Sequence, residues 1–178
     1  MRTFVAIFPP QRVRQALFRA ARDLPTSHDF RLISPEKLHV TLKFLGDVAE
    51  DTLGRVEQAL EPLSEGHEPF EVRTSGFGAF PSEKKARILW AGVGEGSESL
   101  CTVARSVEDL LQPAGFAREQ RSYVPHLTLA RARGRRAKLE NAGISPPALR
   151  FTVSSVELVE SVPGAGGVTY SILQTYSF

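Results

Sequence analysis

The chain has 178 residues, 42% hydrophobic and 24% charged, a balance that excludes a disordered or collagen-like polypeptide. Its 22 Lys and Arg against 20 Asp and Glu leave a formal charge of +2, a mild lean towards anionic partners. The single cysteine, Cys101, excludes an intramolecular disulfide and a multi-cysteine zinc site and fits a reducing compartment, so a cytoplasmic location is expected.

In chain order, Thr3 to Phe8 reads as a buried strand stopped by Pro9-Pro10, and its apolar run is too short for a signal or membrane segment. No other stretch reaches the length of a membrane span, and no membrane association is expected. Val13, Ala16, Leu17, Ala20, Ala21 and Leu24 recur with helical spacing, which predicts an amphipathic helix from Gln11 to Leu24. Residues 25 to 31 form a polar connection, and Ser34-Pro35-Glu36-Lys37 is a turn or helix start leading into a strand over 38 to 45. A second helix is predicted from about Glu50 to Leu63, followed by a polar loop that leaves His67 in solvent. Phe70 to Phe77 reads as a strand, Gly76 to Pro81 as a break, Ser82 to Lys85 as an exposed connection and Arg87 to Val93 as a strand. A third helix spans Ser97 to Gln112, and Tyr123-Val124-Pro125 introduces a strand beginning at His126. A short basic helix from about Arg135 to Ala142 precedes two long strands, Leu149 to Ser161 and Val168 to Phe178, joined by the glycine-rich hairpin 163 to 167.

One pattern occurs twice. His39-Val-Thr-Leu42 returns as His126-Leu-Thr-Leu129, with the two copies about half the chain apart. In a strand alternate side chains share a face, so each copy presents one imidazole and one hydroxyl together, backed by aliphatic side chains. Two such strands facing each other make a site of two histidines and two threonines. With helices placed between strands and hairpin-like pairs after helices, the element order predicts a mixed, mostly antiparallel α+β fold rather than a doubly wound parallel sheet.

Further blocks carry a family resemblance: Arg2-Thr-Phe-Val-Ala-Ile7, His39-Val-Thr-Leu-Lys-Phe-Leu-Gly46, Gly78-Ala-Phe-Pro81 with Arg87-Ile-Leu-Trp90, Tyr123-Val-Pro-His-Leu-Thr-Leu-Ala-Arg131, and Leu158-Val-Glu-Ser161. In this order they resemble the 2H phosphoesterase superfamily, and in particular the bacterial and archaeal RNA 2',3'-cyclic phosphodiesterases, also known as 2'-5' RNA ligase-like proteins. The resemblance implies a single domain over residues 1–178, with two pseudo-symmetric lobes, helices packed outside and a central cleft. It also implies His39 as the proton donor, His126 as the proton acceptor and a 2'-phosphomonoester as the product.

The residue types fit that chemistry. In-line hydrolysis of a cyclic phosphodiester needs one proton removed from water and one given to the departing ribose oxygen, which two near-neutral histidines can do; the residues alone leave open which does which. Thr41 and Thr128 can donate to the non-bridging phosphate oxygens, although strands favour Thr in any case. Lys43 falls on the face of His39 and Thr41 if the strand stays regular and is a candidate substrate contact, with Phe44 in the core. Arg131 is a candidate phosphate partner or a solvated strand end, and Tyr123 and Trp90 are cleft walls or base-stacking groups. The run Arg131, Arg133, Arg135, Arg136 and Lys138 reads first as a solvated face and, alternatively, as a guide for RNA.

No His-Glu-x-x-His, cysteine cluster or phosphate-binding Gly-rich loop with Lys is present, so no metal and no cofactor are expected. The expected partners are RNA with 2',3'-cyclic phosphate ends or small nucleoside cyclic phosphates, acted on by a monomer. Reversible ATP-independent 2'-5' joining at the same site, and a nucleotide- or RNA-binding module without turnover, are the alternatives.

Overall fold

The computed structural model describes residues 1–140, 143–165 and 167–178. Its strands are β1 (Arg2–Ile7), β2 (Phe30–Leu32), β3 (Val40–Asp47), β4 (Phe70–Phe80), β5 (Ile88–Val93), β6 (His126–Ala132), β7 (Arg150–Val153), β8 (Ser155–Gly164) and β9 (Gly167–Ser177). Its helices are α1 (Gln11–Arg22), α2 (Glu50–Leu60), the single turn α3 (Leu63–Gly66) and α4 (Ser97–Leu111). The strands form one sheet in the order β7-β4-β5-β6-β3-β1-β8-β9, with β2 added to β6 and every pairing antiparallel.

That order reads outwards from the β6–β3 seam as two matching halves. In one, β1 leads through α1 to its neighbour β3, with β8 on the far side of β1. In the other, β5 leads through α4 to its neighbour β6, with β4 on the far side of β5. The expected mixed, mostly antiparallel α+β architecture is therefore the one observed.

The apolar stripes read from the sequence account for the packing. α1 buries Val13, Leu17 and Ala21, α2 buries Val56 and Leu60, and α4 buries Leu100, Val103, Ala104, Val107 and Leu111. These join Val5, Ile7, Leu89, Leu127 and Leu158 in one continuous core on the helical face of the sheet. α1 packs beneath β6 and α4 beneath β3, so each long helix supports the motif strand of the opposite half. Among the described residues the other face carries a small apolar cluster, Phe4, Ala6 and Val159 with Phe8 and Tyr170 against it. Among the described residues no helix is long and apolar enough to cross a membrane.

Several expectations are corrected. The connection over 25 to 31 contains β2, because Phe30 is buried and its backbone pairs with Ala132. The glycine-rich stretch 76 to 80 continues β4 instead of breaking it: the chain bulges between Thr74 and Phe77, then pairs Gly78 with Trp90. A Cβ at Gly78 would lie 2.1 Å from the Trp90 ring, so glycine is required there by close approach. The strand expected over Leu149 to Ser161 divides into β7, which pairs with β4, and β8, which pairs with β1. Residues 135 to 140 are not helical, and Asn141 and Ala142, the end of that expected helix, lie outside the described residues, as does Gly166 in the hairpin. His67 is half-buried against Phe178, with ring centroids 5.6 Å apart, rather than free in solvent.

Candidate active site

β3 and β6 join through one residue pair, Val40 opposite Leu127. Both side chains are buried in the core. Because the pairing is antiparallel, His39 falls opposite Thr128 and Thr41 opposite His126, and alternation puts all four on the face away from the helices. All four are half-buried. Beyond this single pair β6 takes β2 as its neighbour instead of β3, so the two motif strands diverge from Val40 and Leu127.

Each motif strand then bulges at the same place. β1–β3 pairing steps from Ala6–Thr41 to Val5–Lys43, leaving Leu42 as the extra residue. β5–β6 pairing steps from Trp90–Thr128 to Leu89–Ala130, leaving Leu129 as the extra residue. The two strands consequently share one burial pattern: half-buried His, buried aliphatic, half-buried Thr, two buried residues, then an exposed one. In the first copy the exposed residue is Phe44 and in the second it is Arg131.

The bulge overturns the regular-strand reading of Lys43 and Phe44. Lys43 is 7% exposed and points into the helical side, where its Nζ donates to Glu108 Oε2 at 2.6 Å and to the Ala117 carbonyl at 2.7 Å. Phe44, expected in the core, is 70% exposed and lies 6.1 Å from Phe4 on the site face. Tyr123 is likewise not on the open face: it is half-buried and its hydroxyl donates to the Thr41 carbonyl at 3.0 Å, strapping the approach to β6 onto β3. Burial pushes the Tyr123 hydroxyl well up, keeping it a neutral donor. Arg131 stays exposed, and its charge acts on Tyr170 of β9, whose ring meets His39 edge-on at 5.3 Å.

The imidazoles are held alike. His39 Nδ1 lies 2.7 Å from the Lys37 carbonyl and His126 Nδ1 2.7 Å from the Val124 carbonyl, each two residues back along the chain. A carbonyl can only accept, so Nδ1 carries the proton in both rings and Nε2 is left for chemistry. Phe4, Phe8 and Tyr170 surround His39 at centroid distances of 4.9, 5.4 and 5.3 Å. Phe80 and Trp90 flank His126 at 5.1 and 6.2 Å. Burial is the main cause that lowers both histidines below the ordinary imidazole range, partly offset by the two carbonyls; a charge on His126 lowers His39 further.

Glu157 completes the site face and was not singled out in the sequence. It pairs with Ala6, which itself pairs with Thr41, so the three stand in one row across β8, β1 and β3. It is 8% exposed; Ser155 Oγ donates to its Oε1 at 2.6 Å, and Oε2 has no hydrogen-bond partner among the described residues. Burial pushes its carboxyl up, with Ser155 and the Phe8 amide acting in the opposite direction. The signal available was a lone acid in the otherwise apolar run Val156 to Val159. Among the described residues no group of three or more His, Cys, Asp or Glu side chains is placed to hold a metal ion.

Two imidazoles bonded through Nδ1 and two hydroxyls thus share one face of a mirrored sheet, the arrangement expected from the 2H phosphoesterase resemblance. The chain belongs to the 2'-5' RNA ligase superfamily, whose family model matches residues 9–164. It is 32% identical over 186 residues to the RNA 2',3'-cyclic phosphodiesterase of Methanothermobacter thermautotrophicus, covering 99% of this chain and 98% of that protein. It is 31% identical over 184 residues to the RNA 2',3'-cyclic phosphodiesterase of Thermus thermophilus, covering 99% and 90%. The fold superposes on the crystal structure of TT0787 of Thermus thermophilus with a TM-score of 0.87 at 27% identity, covering 99% of this chain and 97% of that one. It also matches E. coli LigT complexed with 3'-AMP at a TM-score of 0.82 and 22% identity, covering 99% and 97%, a likeness of fold.

Proposed function

We propose that this chain hydrolyses RNA 2',3'-cyclic phosphate ends to 2'-phosphomonoesters without a metal ion. The observation that carries the proposal is the mirrored pair of Nδ1–carbonyl hydrogen bonds, which turns both Nε2 atoms to the shared face of β3 and β6. Relatives matched over nearly the whole chain bear the name RNA 2',3'-cyclic phosphodiesterase, which supports the substrate and the reaction class.

The cyclic phosphate lies between the two motif strands. Neutral His126 takes a proton from water through Nε2 as the water oxygen attacks phosphorus. Protonated His39 gives its Nε2 proton to the ribose O3', and the P–O3' bond breaks. Negative charge builds on the non-bridging oxygens, where the Thr41 and Thr128 hydroxyls donate and the Arg131 guanidinium adds charge. A single-proton state suits this division of labour: charge on one histidine depresses the other, so the two are not readily protonated together. Both halves of the site come from one chain, so a monomer is complete. The free thiol of Cys101 supports a reducing compartment, the cytoplasm.

Incubation with nucleoside 2',3'-cyclic monophosphates and a cyclic-phosphate-ended RNA in EDTA tests the proposal when 2' and 3' products are resolved. Turnover to the 2' product is expected, and each of H39A and H126A loses roughly a hundredfold or more in kcat while remaining folded. Absence of turnover, or turnover abolished by chelation, overturns it. The cyclic-phosphate-ended RNA mixed at high concentration with a 5'-hydroxyl RNA tests 2'-5' joining at the same site, in which the 5'-hydroxyl replaces water as the nucleophile, the P–O3' bond breaks and O3' takes the proton, the activity that the family's description names.

A further inference from the structure

Outside the histidine site, the chain holds a cavity of about 350 Å³ lined by Pro81, Lys85, Arg87, Arg135 and Arg136. Its four cations come from two stretches far apart in sequence. Those stretches are locked side by side: Ala86 N–H donates to the Ala137 carbonyl at 2.8 Å, and Ala137 N–H returns a bond to the Ala86 carbonyl at 2.9 Å. A third bond, from the Leu139 amide to the Glu83 carbonyl at 2.8 Å, extends the join. This antiparallel bridge puts Arg87 opposite Arg136, and like charges held opposite each other are destabilising. No carboxylate lines the cavity, and none of the four cations makes an ion pair among the described residues. An anion seated between them removes that repulsion.

The cavity also adjoins the reaction site. Pro81 follows Phe80, whose ring stands 5.1 Å from His126, and the Arg87 amide donates to the Phe80 carbonyl at 2.8 Å. Consecutive residues, Phe80 beside His126 and Pro81 in the cavity wall, thus link the two.

We propose that Lys85, Arg87, Arg135 and Arg136 form a second anion site that binds phosphodiester groups on the 5' side of an RNA end held at His39 and His126. The proposal rests on the reading of that site as acting on RNA ends, and it goes further by assigning the path of the strand. The join of the two stretches through backbone hydrogen bonds fixes the backbone that carries the cations before RNA arrives, so no backbone ordering opposes binding. Substrate preference then depends on length: a mononucleotide has no phosphodiester to place in the cavity, and an oligonucleotide does.

The test compares kcat/KM for cytidine 2',3'-cyclic monophosphate with that for a hexaribonucleotide ending in the same group, in the wild type, R135A/R136A, R87A and the control R19A/R22A. Arg135 and Arg136 lie on an exposed irregular stretch, so their removal leaves the bridging backbone in place. The hexamer-to-mononucleotide ratio is expected to fall roughly ten- to a hundredfold in R135A/R136A and in R87A, with a shallower dependence of hexamer binding on salt. It is expected to hold in R19A/R22A, which removes two helix-surface charges. An unchanged ratio in R135A/R136A, or an equal fall in the control, overturns the proposal. Fluorescence anisotropy with a hexamer ending in a 3'-hydroxyl reads the cavity without turnover. Weaker binding by R135A/R136A there supports the anion site even if no cyclic phosphate is hydrolysed, a failure that would instead count against the proposed reaction.

Discussion

His39 and His126 sit in different aromatic surroundings but share one tether, a carbonyl two residues upstream on Nδ1. The tether sets the tautomer, and burial sets the direction of the titration. Since both imidazoles are lowered, the acid limb and the alkaline limb of the kcat/KM profile of the free enzyme both move to lower pH, and the bell is centred on the acid side of 6.5. A profile centred above neutrality would contradict this assignment. The same shifts bear on stability. A histidine whose folded pKa is lowered binds its proton more readily when unfolded, so stability holds above pH 6.5 and declines as pH falls through the folded values. Inorganic phosphate, by pairing with the charged rings, is expected to reduce that decline in a thermal melt followed from pH 7.5 to 5.5. Glu157 titrates with the opposite sense: its raised carboxyl favours the neutral form, so its ionisation costs stability as pH rises past the ordinary glutamate range. E157Q removes that component, and a melting temperature with the same slope above pH 5 in both proteins would rule it out.

At the scale of elements, the bulges in β3 and β6 decide which side chain after the threonine shares the face of the histidines. Regular alternation assigns that place to Lys43, whereas the extra residue Leu42 turns Lys43 inward to Glu108 of α4 and Phe44 outward. K43M is therefore expected to act on stability and not on chemistry. Breaking this largely buried pair costs about 3 kcal/mol by denaturant titration, at the low end for buried pairs because Glu108 keeps some contact with solvent. The kcat of the folded fraction is retained; a selective loss of kcat with stability intact would place Lys43 back at the substrate. The glycine at 78 is a second such control. In G78A the new methyl must displace the Trp90 ring that flanks His126, at a cost of roughly 1–3 kcal/mol, and lower kcat accompanies the lost stability. Normal kcat in G78A would show that Trp90 has no part in positioning His126.

For the whole molecule, two matching halves meet where β3 touches β6 through one ladder pair and β2 adds to β6, and they share one core, with α1 under β6 and α4 under β3. Tyr123 and Lys43 add side-chain ties to the same seam. We infer that the chain is one folding unit in two lobes. Calorimetry should show a single transition whose calorimetric and van't Hoff enthalpies agree, and two resolved transitions would refute it. Interleaved helices predict that neither half supplies a working site alone, since each motif strand rests on the helix that belongs to the other half.

The doubled His-x-Thr pattern and the helical stripes of α1, α2 and α4 were legible in the sequence because they depend on local periodicity, which a linear chain displays directly. So was the antiparallel α+β class. Register was not legible. A bulge of one residue leaves no mark in the composition of β3 but exchanges the fates of Lys43 and Phe44. Likewise β2, the continuation of β4 through Gly78 and the row Thr41, Ala6 and Glu157 depend on partners distant in the chain. Periodicity determined which residues could carry the chemistry, and long-range pairing decided which of them face it.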